Sequence, residues 1–81
     1  MTTPISTHLL RHRESRGISQ ADAAHELNVV PLTYRHWEHG DTMPGVRYWA
    51  TVSGWLRLSI SDVVAACTEG ARLRRERAGK S

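Results

Sequence analysis

Residues 19–40, SQADAAHELNVVPLTYRHWEHG, encode two short helices and the corner that joins them. Ser19 is a strong N-cap, because its hydroxyl oxygen accepts from a free backbone N–H of the first turn. Asp22, three residues on, supplies the returning acceptor of a capping box. The helix so started runs over about 20–27. Ala23, Ala24 and Leu27 share one face, and two alanines there let another helix come close. Asn28 stops the helix, since its short polar side chain tolerates the left-handed backbone of a helix end, and Val29 tucks under the turn.

A second helix begins almost at once. Pro31 suits a first helical position, where its missing N–H removes a donor that would have no partner and its fixed φ is already helical. The pattern predicts a helix over 31–39. Tyr34 and Trp37 are spaced for a buried face with Glu38 close by, leaving Leu32, Thr33, Arg35, His36 and His39 for the other faces. Gly40 ends it, with Asp41 and Pro44 as further breakers. A connection of three residues between helices this short forces a helix-turn-helix corner, the geometry whose second helix can lie in the major groove of DNA.

A helix over about 4–16 precedes the pair, with Pro4 as its first residue, Ile5, Leu9 and Leu10 as its apolar positions and Gly17 as its stop. A fourth, over 45–57, carries Val46, Trp49, Val52 and Leu56, with bulk added by Tyr48 and Trp55. Ser59 caps a fifth over 60–70, which places Asp62 at its third position and Val63, Val64, Ala66 and Cys67 inside. It ends near Gly70 or runs on through residues 71–77, ARLRRER, as a solvated basic helix. No alternating Val/Ile/Thr run is bounded by turn signals, so the fold class is all-α.

The 81 residues leave room for one small domain, read as residues 1–70 followed by a basic tail over 71–81. The formal charge of +3 is unevenly placed. Residues 1–70 hold six Arg and seven Asp/Glu, a net −1, whereas residues 71–81 hold four Arg, one Lys and one Glu, a net +4. Such a tail either solubilises the chain or adds sequence-independent affinity for phosphates. The single cysteine excludes an intramolecular disulfide. No apolar run approaches the roughly 20 residues of a membrane span and no signal peptide is visible, so a cytoplasmic protein without a membrane partner is expected.

Taken in order, LRHRESRGISQADAAHELNVV (10–30), TYRHWEHGDTMPG (33–45) and LRLSISDV (56–63) resemble the lambda-repressor-like, or Xre/Cro, family of DNA-binding domains over residues 7–65. The resemblance implies a five-helix fold and double-stranded operator DNA as partner. Function is then expected to be transcriptional regulation in a bacterial or phage-infected cytoplasm, with a Cro-like or short phage-type repressor acting as a homodimer. By the same resemblance Gln20 contacts a DNA phosphate and braces the third helix, and Arg13 pairs with Glu38 and lies near the DNA backbone. Pro31, Leu32, Thr33, Arg35 and His36 face or flank bases, and His39 lies near a phosphate. Arg74 and Arg75 of the tail are further candidates for backbone contact.

The chain departs from the family pattern at several points. Val30 stands where a Ser or Thr usually caps the third helix, at a cost of about 1 kcal/mol of capping. Pro31 and Leu32 have no side-chain hydrogen to give a base edge, which shifts direct readout to Thr33, Arg35 and His36, with Arg to guanine the strongest single contact. Thr42 and Met43 replace a basic residue of the following loop. Ala23 replaces a leucine, so Tyr34 or an indole must fill the space; Trp55 replaces a small residue and belongs either to the core or, with Val63 and Cys67, to a dimer interface.

Other chemistries find little support. His8 and His12, or His36 and His39, are helically spaced, but no C-x-x-C or H-E-x-x-H accompanies them, so no metal is expected. Cys67 sits among small apolar residues as a packing residue. With no catalytic pair and no phosphate-cradling glycine loop, neither enzyme activity, nor a cofactor, nor a small-molecule ligand is expected. The rival to DNA binding is a protein-interaction module on the same fold, such as an antitoxin or anti-regulator, favoured by the apolar Val30, Pro31, Leu32 and Tyr34.

Overall fold

The structure, a computed structural model, describes residues 2–79. Five α-helices follow one another: α1 Ile5–Arg16, α2 Gln20–Glu26, α3 Pro31–His39, α4 Trp49–Leu56 and α5 Ile60–Gly79, with a 3₁₀ turn, Val46–Tyr48, ahead of α4. There is no strand among the described residues. The fold is all-α, as the residue pattern requires.

The local signals act where the chain places them. Ser19 Oγ accepts from Asp22 N–H at 3.0 Å, and the Asp22 carboxylate accepts from Ser19 N–H at 3.3 Å, closing the capping box. Gly17 (φ 67°), Asn28 (φ 59°) and Gly40 (φ 80°) all take the left-handed backbone that turns the chain out of a helix. After Asn28 the Val29 N–H donates back to Ala24 C=O at 3.0 Å, which tightens the corner between α2 and α3. Val30 occupies the N-cap of α3 without any side-chain bond, and Pro31 is the first helical residue.

Boundaries differ from the sequence pattern in three places. Pro4 caps α1 from outside it, and Leu27 is the C-cap of α2. The helix read over 45–57 is divided: Tyr48 N–H bonds Gly45 C=O at 2.9 Å as a 3₁₀ turn, while Trp49 Nε1–H reaches Pro44 C=O at 3.2 Å and sets the start of α4. Apolar spacing does not separate a 3₁₀ turn from the first turn of an α-helix. The fifth helix takes the longer of its two readings and continues past Gly70 to Gly79, so residues 71–79 are a helical extension and not a separate tail; Lys80 and Ser81 lie outside the described residues. Past Gly70 the residues are good helix formers, and Arg72 bonds Glu69 at 2.7 and 2.9 Å one turn back and Glu76 one turn ahead. Twenty helical residues rise about 30 Å, most of the 34 Å long dimension of the molecule.

The core gathers one apolar stripe from each helix. Ile5 and Leu9 of α1, Ala23 and Ala24 of α2, Tyr34 and Trp37 of α3, Val52 and Leu56 of α4, and Val63, Ala66 and Cys67 of α5 are buried together. Tyr34 lies fully buried with its hydroxyl donating to Leu9 C=O at 3.4 Å, and its ring meets Trp55 edge-on at 6.3 Å. Two aromatic rings thus supply bulk to the core in which Ala23 has little. Trp55 is half-buried and bridges inside and outside: its ring edge packs on His12 at 4.5 Å, and its N–H donates to Glu26 at 2.9 Å. Val63 and Cys67 have no free surface of this kind. Both are buried against this chain's own core, so they cannot face a second copy, and Trp55 alone of the three interface candidates retains exposed surface. Burial raises the Cys67 thiol pKa above its ordinary value, as befits a packing residue.

Candidate nucleic-acid interface

The third helix is braced at its back by a single buried carboxylate. Glu38, whose side chain is only 4% exposed, accepts from Arg13 Nε at 2.8 Å, from Arg13 Nη2 at 2.9 Å and from Gln20 Nε2 at 3.0 Å. Arg13 spends its remaining terminal nitrogen on Ile18 C=O at 3.0 Å, in the turn between α1 and α2. One carboxylate therefore ties α3 to α1 and to the first residue of α2. Burial disfavours its charge, but the hydrogen bonds from Arg13 and Gln20 win and hold the Glu38 pKa down at about 2. Glu26 does similar work at the corner of α1 and α2, where bonds from Arg16 and Trp55 hold its pKa at about 2.

With its back fixed, α3 turns a mixed face outward. Val30 and Leu32 are 63% and 54% exposed, Pro31, Arg35 and His39 are exposed, and Thr33 and His36 are partly so. All the residues expected to read bases therefore lie on or beside one open surface. No hydrogen bond or ion pair among the described residues engages Arg35, so its five donors are available. His36 Nδ1 lies 3.4 Å from Asp41, a contact the sequence did not announce. Asp41 in turn lies 3.6 Å from Arg77, whose guanidinium also donates to Gly40 C=O at 3.3 Å. The two contacts of Arg77 span 36 and 37 residues of sequence, which no local pattern records.

The residues expected near the DNA backbone divide into two groups. Gln20 and Arg13 point into the Glu38 clasp, where they position α3. His39, Arg74 and Arg75 are exposed. Arg74 is flanked by two clefts: one it shares with His39, Gly40 and Arg77 at the end of α3, the other with Arg75 and the loop residues Asp41, Thr42 and Met43.

A sequence model of the helix-turn-helix family matches residues 9–62, two thirds of the chain, from the second turn of α1 into the first turn of α5. The chain belongs to the lambda-repressor-like helix-turn-helix family. Comparison with curated proteins and comparison with solved structures each give no match. Membership makes this a DNA-binding helix-turn-helix domain of regulatory type, and the matched span contains α2, α3 and the corner between them. The lambda-repressor-like match stops at Asp62, so nearly all of α5, including every one of its arginines, lies beyond it. Among the described residues no helix is long and apolar enough to cross a membrane, and no group of three His, Cys, Asp or Glu side chains is placed to hold a metal ion.

Proposed function

We propose that the protein is a sequence-specific regulator of transcription that occupies a double-stranded operator with α3 in the major groove, acting as a Cro-like repressor and binding as a homodimer. The observation that carries this reading is Arg35. It stands exposed and unengaged in the middle of a helix whose back is locked by the Arg13–Glu38–Gln20 bonds, so a planar bidentate donor is presented on a rigid support. That is what recognition of a guanine edge asks for. Thr33 and His36 flank it, Pro31 and Leu32 offer apolar contact to a thymine methyl, and His39 with the arginines of α5 supplies contacts to the backbone.

Selection of bound duplexes from a random pool tests the reading. An enriched palindrome with half-sites about one helical turn apart, roughly 34 Å, supports both specificity and the dimer. An enriched single half-site supports specificity without it, and failure to enrich any sequence overturns the proposal.

One observation favours a second reading, a protein-interaction module on the same fold. Val30 and Leu32, at the tip of α3, are more than half exposed, and an apolar tip of this kind suits a protein partner. Salt separates the two. Contacts from arginine to phosphate weaken steeply with ionic strength, whereas an apolar contact does not.

A further inference from the structure

We propose that Arg74 and Arg75 form a phosphate-binding pair, held by the α5 extension beside the loop that follows α3, which grips the backbone of the same duplex that α3 enters. This rests on the DNA reading above and adds to it a fixed site in place of a loose basic tail.

Four arginines lie on the extension, and the structure divides them. Arg72 is clasped between Glu69 and Glu76, and Arg77 is turned onto Gly40 C=O and Asp41. Arg74 and Arg75 are exposed, and no hydrogen bond or ion pair among the described residues engages them. Both line the cleft formed with Asp41, Thr42, Met43 and Ala71. Asp41, the one carboxylate lining that cleft, lies 3.6 Å from the Arg77 guanidinium, which counters its charge, and 3.4 Å from His36 Nδ1.

The extension is anchored to this place. Gly70 is buried against Met43, so closely that a Cβ on it would lie 2.6 Å from the sulfur, and Arg77 closes the contact a further two turns on. Arg74 and Arg75 lie between these two anchors and are therefore fixed relative to the end of α3. The distribution of charge points the same way. Residues 1–70 carry a net −1, and the loop over 41–45, DTMPG, contains no cation. Phosphate neutralisation supplies most sequence-independent affinity for DNA, and in this chain the net positive charge for it is on the extension.

The test measures the affinity of the full chain for a duplex by fluorescence anisotropy over a range of salt concentrations. Each phosphate contact contributes about 0.9 to the slope of log K against log salt. The double variant Arg74→Ala/Arg75→Ala is expected to lower that slope by about 1.8 and to weaken binding roughly tenfold or more at 0.1 M salt. Arg72→Ala removes the same kind of charge from the same helix but not from the cleft, and is expected to change the slope by less than half a unit. Adding Thr42→Arg to the double variant puts a cation back on the opposite wall of the cleft and restores about half of the lost slope. Equal effects from Arg72→Ala and either cleft arginine, or no rescue by Thr42→Arg, overturn the site in favour of diffuse charge. Replacing chloride with inorganic phosphate at constant ionic strength is expected to weaken duplex binding by the wild-type chain more than by the double variant, because the free anion competes for the same two guanidinium groups; equal weakening of both overturns the site. If the unmodified chain binds no duplex at low salt, the DNA reading fails and takes this inference with it. A normal wild-type slope that the double variant leaves unchanged defeats this inference alone.

Discussion

Arg13 and Glu38 are joined by two parallel charge-assisted hydrogen bonds across 25 residues of sequence, Nε to Oε2 at 2.8 Å and Nη2 to Oε1 at 2.9 Å. The pair is deep enough, with side chains 18% and 4% exposed, for water to compete poorly. The folded pKa of Glu38, about 2, lies below the ordinary 4.5. The stability this confers is complete above pH 4.5 and is lost as pH falls toward 2, at most about 3 kcal/mol over that window. Glu38→Gln is expected to cost about 3 kcal/mol at pH 7 by leaving Arg13 without its counter-charge, and to flatten the acid limb of the stability curve. Urea unfolding followed by tryptophan fluorescence at pH 7 and pH 2.5 measures both. Equal losses on acidification in variant and wild type would show that Glu38 is not the titrating group.

Arg57 caps α4 in the left-handed conformation, with φ 58° and ψ 41°. A side chain with a Cβ pays about 1 kcal/mol for that backbone, less what glycine gives up in the unfolded chain. Arg57→Gly is therefore expected to stabilise the fold by about 0.5 kcal/mol, a rise of a few degrees in Tm by calorimetry. At Asn28, with the same φ, glycine should gain less, because asparagine already tolerates the conformation. A drop in Tm for Arg57→Gly would mean that its side chain contributes contacts that outweigh the backbone strain.

Gly70 of α5 is buried against Met43 of the loop after α3. A Cβ at position 70 meets the Met43 sulfur at 2.6 Å and Ile5 Cγ2 at 3.5 Å. Alanine is worth about 1 kcal/mol over glycine within a helix, but overpacking costs 1–3 kcal/mol. Gly70→Ala should thus be neutral or destabilising in the native chain and stabilising by about 1 kcal/mol once Met43→Ala has opened the space. A double-mutant cycle by urea denaturation reads the coupling directly. Additive effects would show that the two side chains do not meet.

Much of this was legible because it is local. Ser19 with Asp22, the left-handed stops at Gly17, Asn28 and Gly40, and the apolar stripes of α1, α2 and α3 each follow from a few neighbouring residues, and together they give the helix-turn-helix. Arg57 was not legible, since nothing in an arginine announces a positive φ. The 3₁₀ turn at Val46–Tyr48 was hidden by apolar spacing that fits either kind of helix. Val63 and Cys67 stand among the candidates for a dimer interface in the sequence, because helical periodicity describes an inward stripe and an outward one alike; burial at 0% and 7% places both inward. In the site, the Arg13–Glu38 pair came from family resemblance, while the chain from His36 through Asp41 to Arg77 required the tertiary fold.

Arg35 is the residue on which specificity is expected to depend. It is exposed and unengaged, whereas the neighbouring His36 is drawn toward Asp41 at 3.4 Å. A bidentate contact from arginine to guanine discriminates by about 1–3 kcal/mol, so Arg35→Ala should relax preference at one base position by roughly tenfold while leaving the fold intact. His36→Ala should have a smaller effect, since its ring is shared with the loop. Both follow from comparing selected operators for wild type and variants, position by position, under one salt condition. A uniform loss of affinity across all sequences for Arg35→Ala would place its guanidinium on a phosphate and leave base recognition to Thr33 and His36.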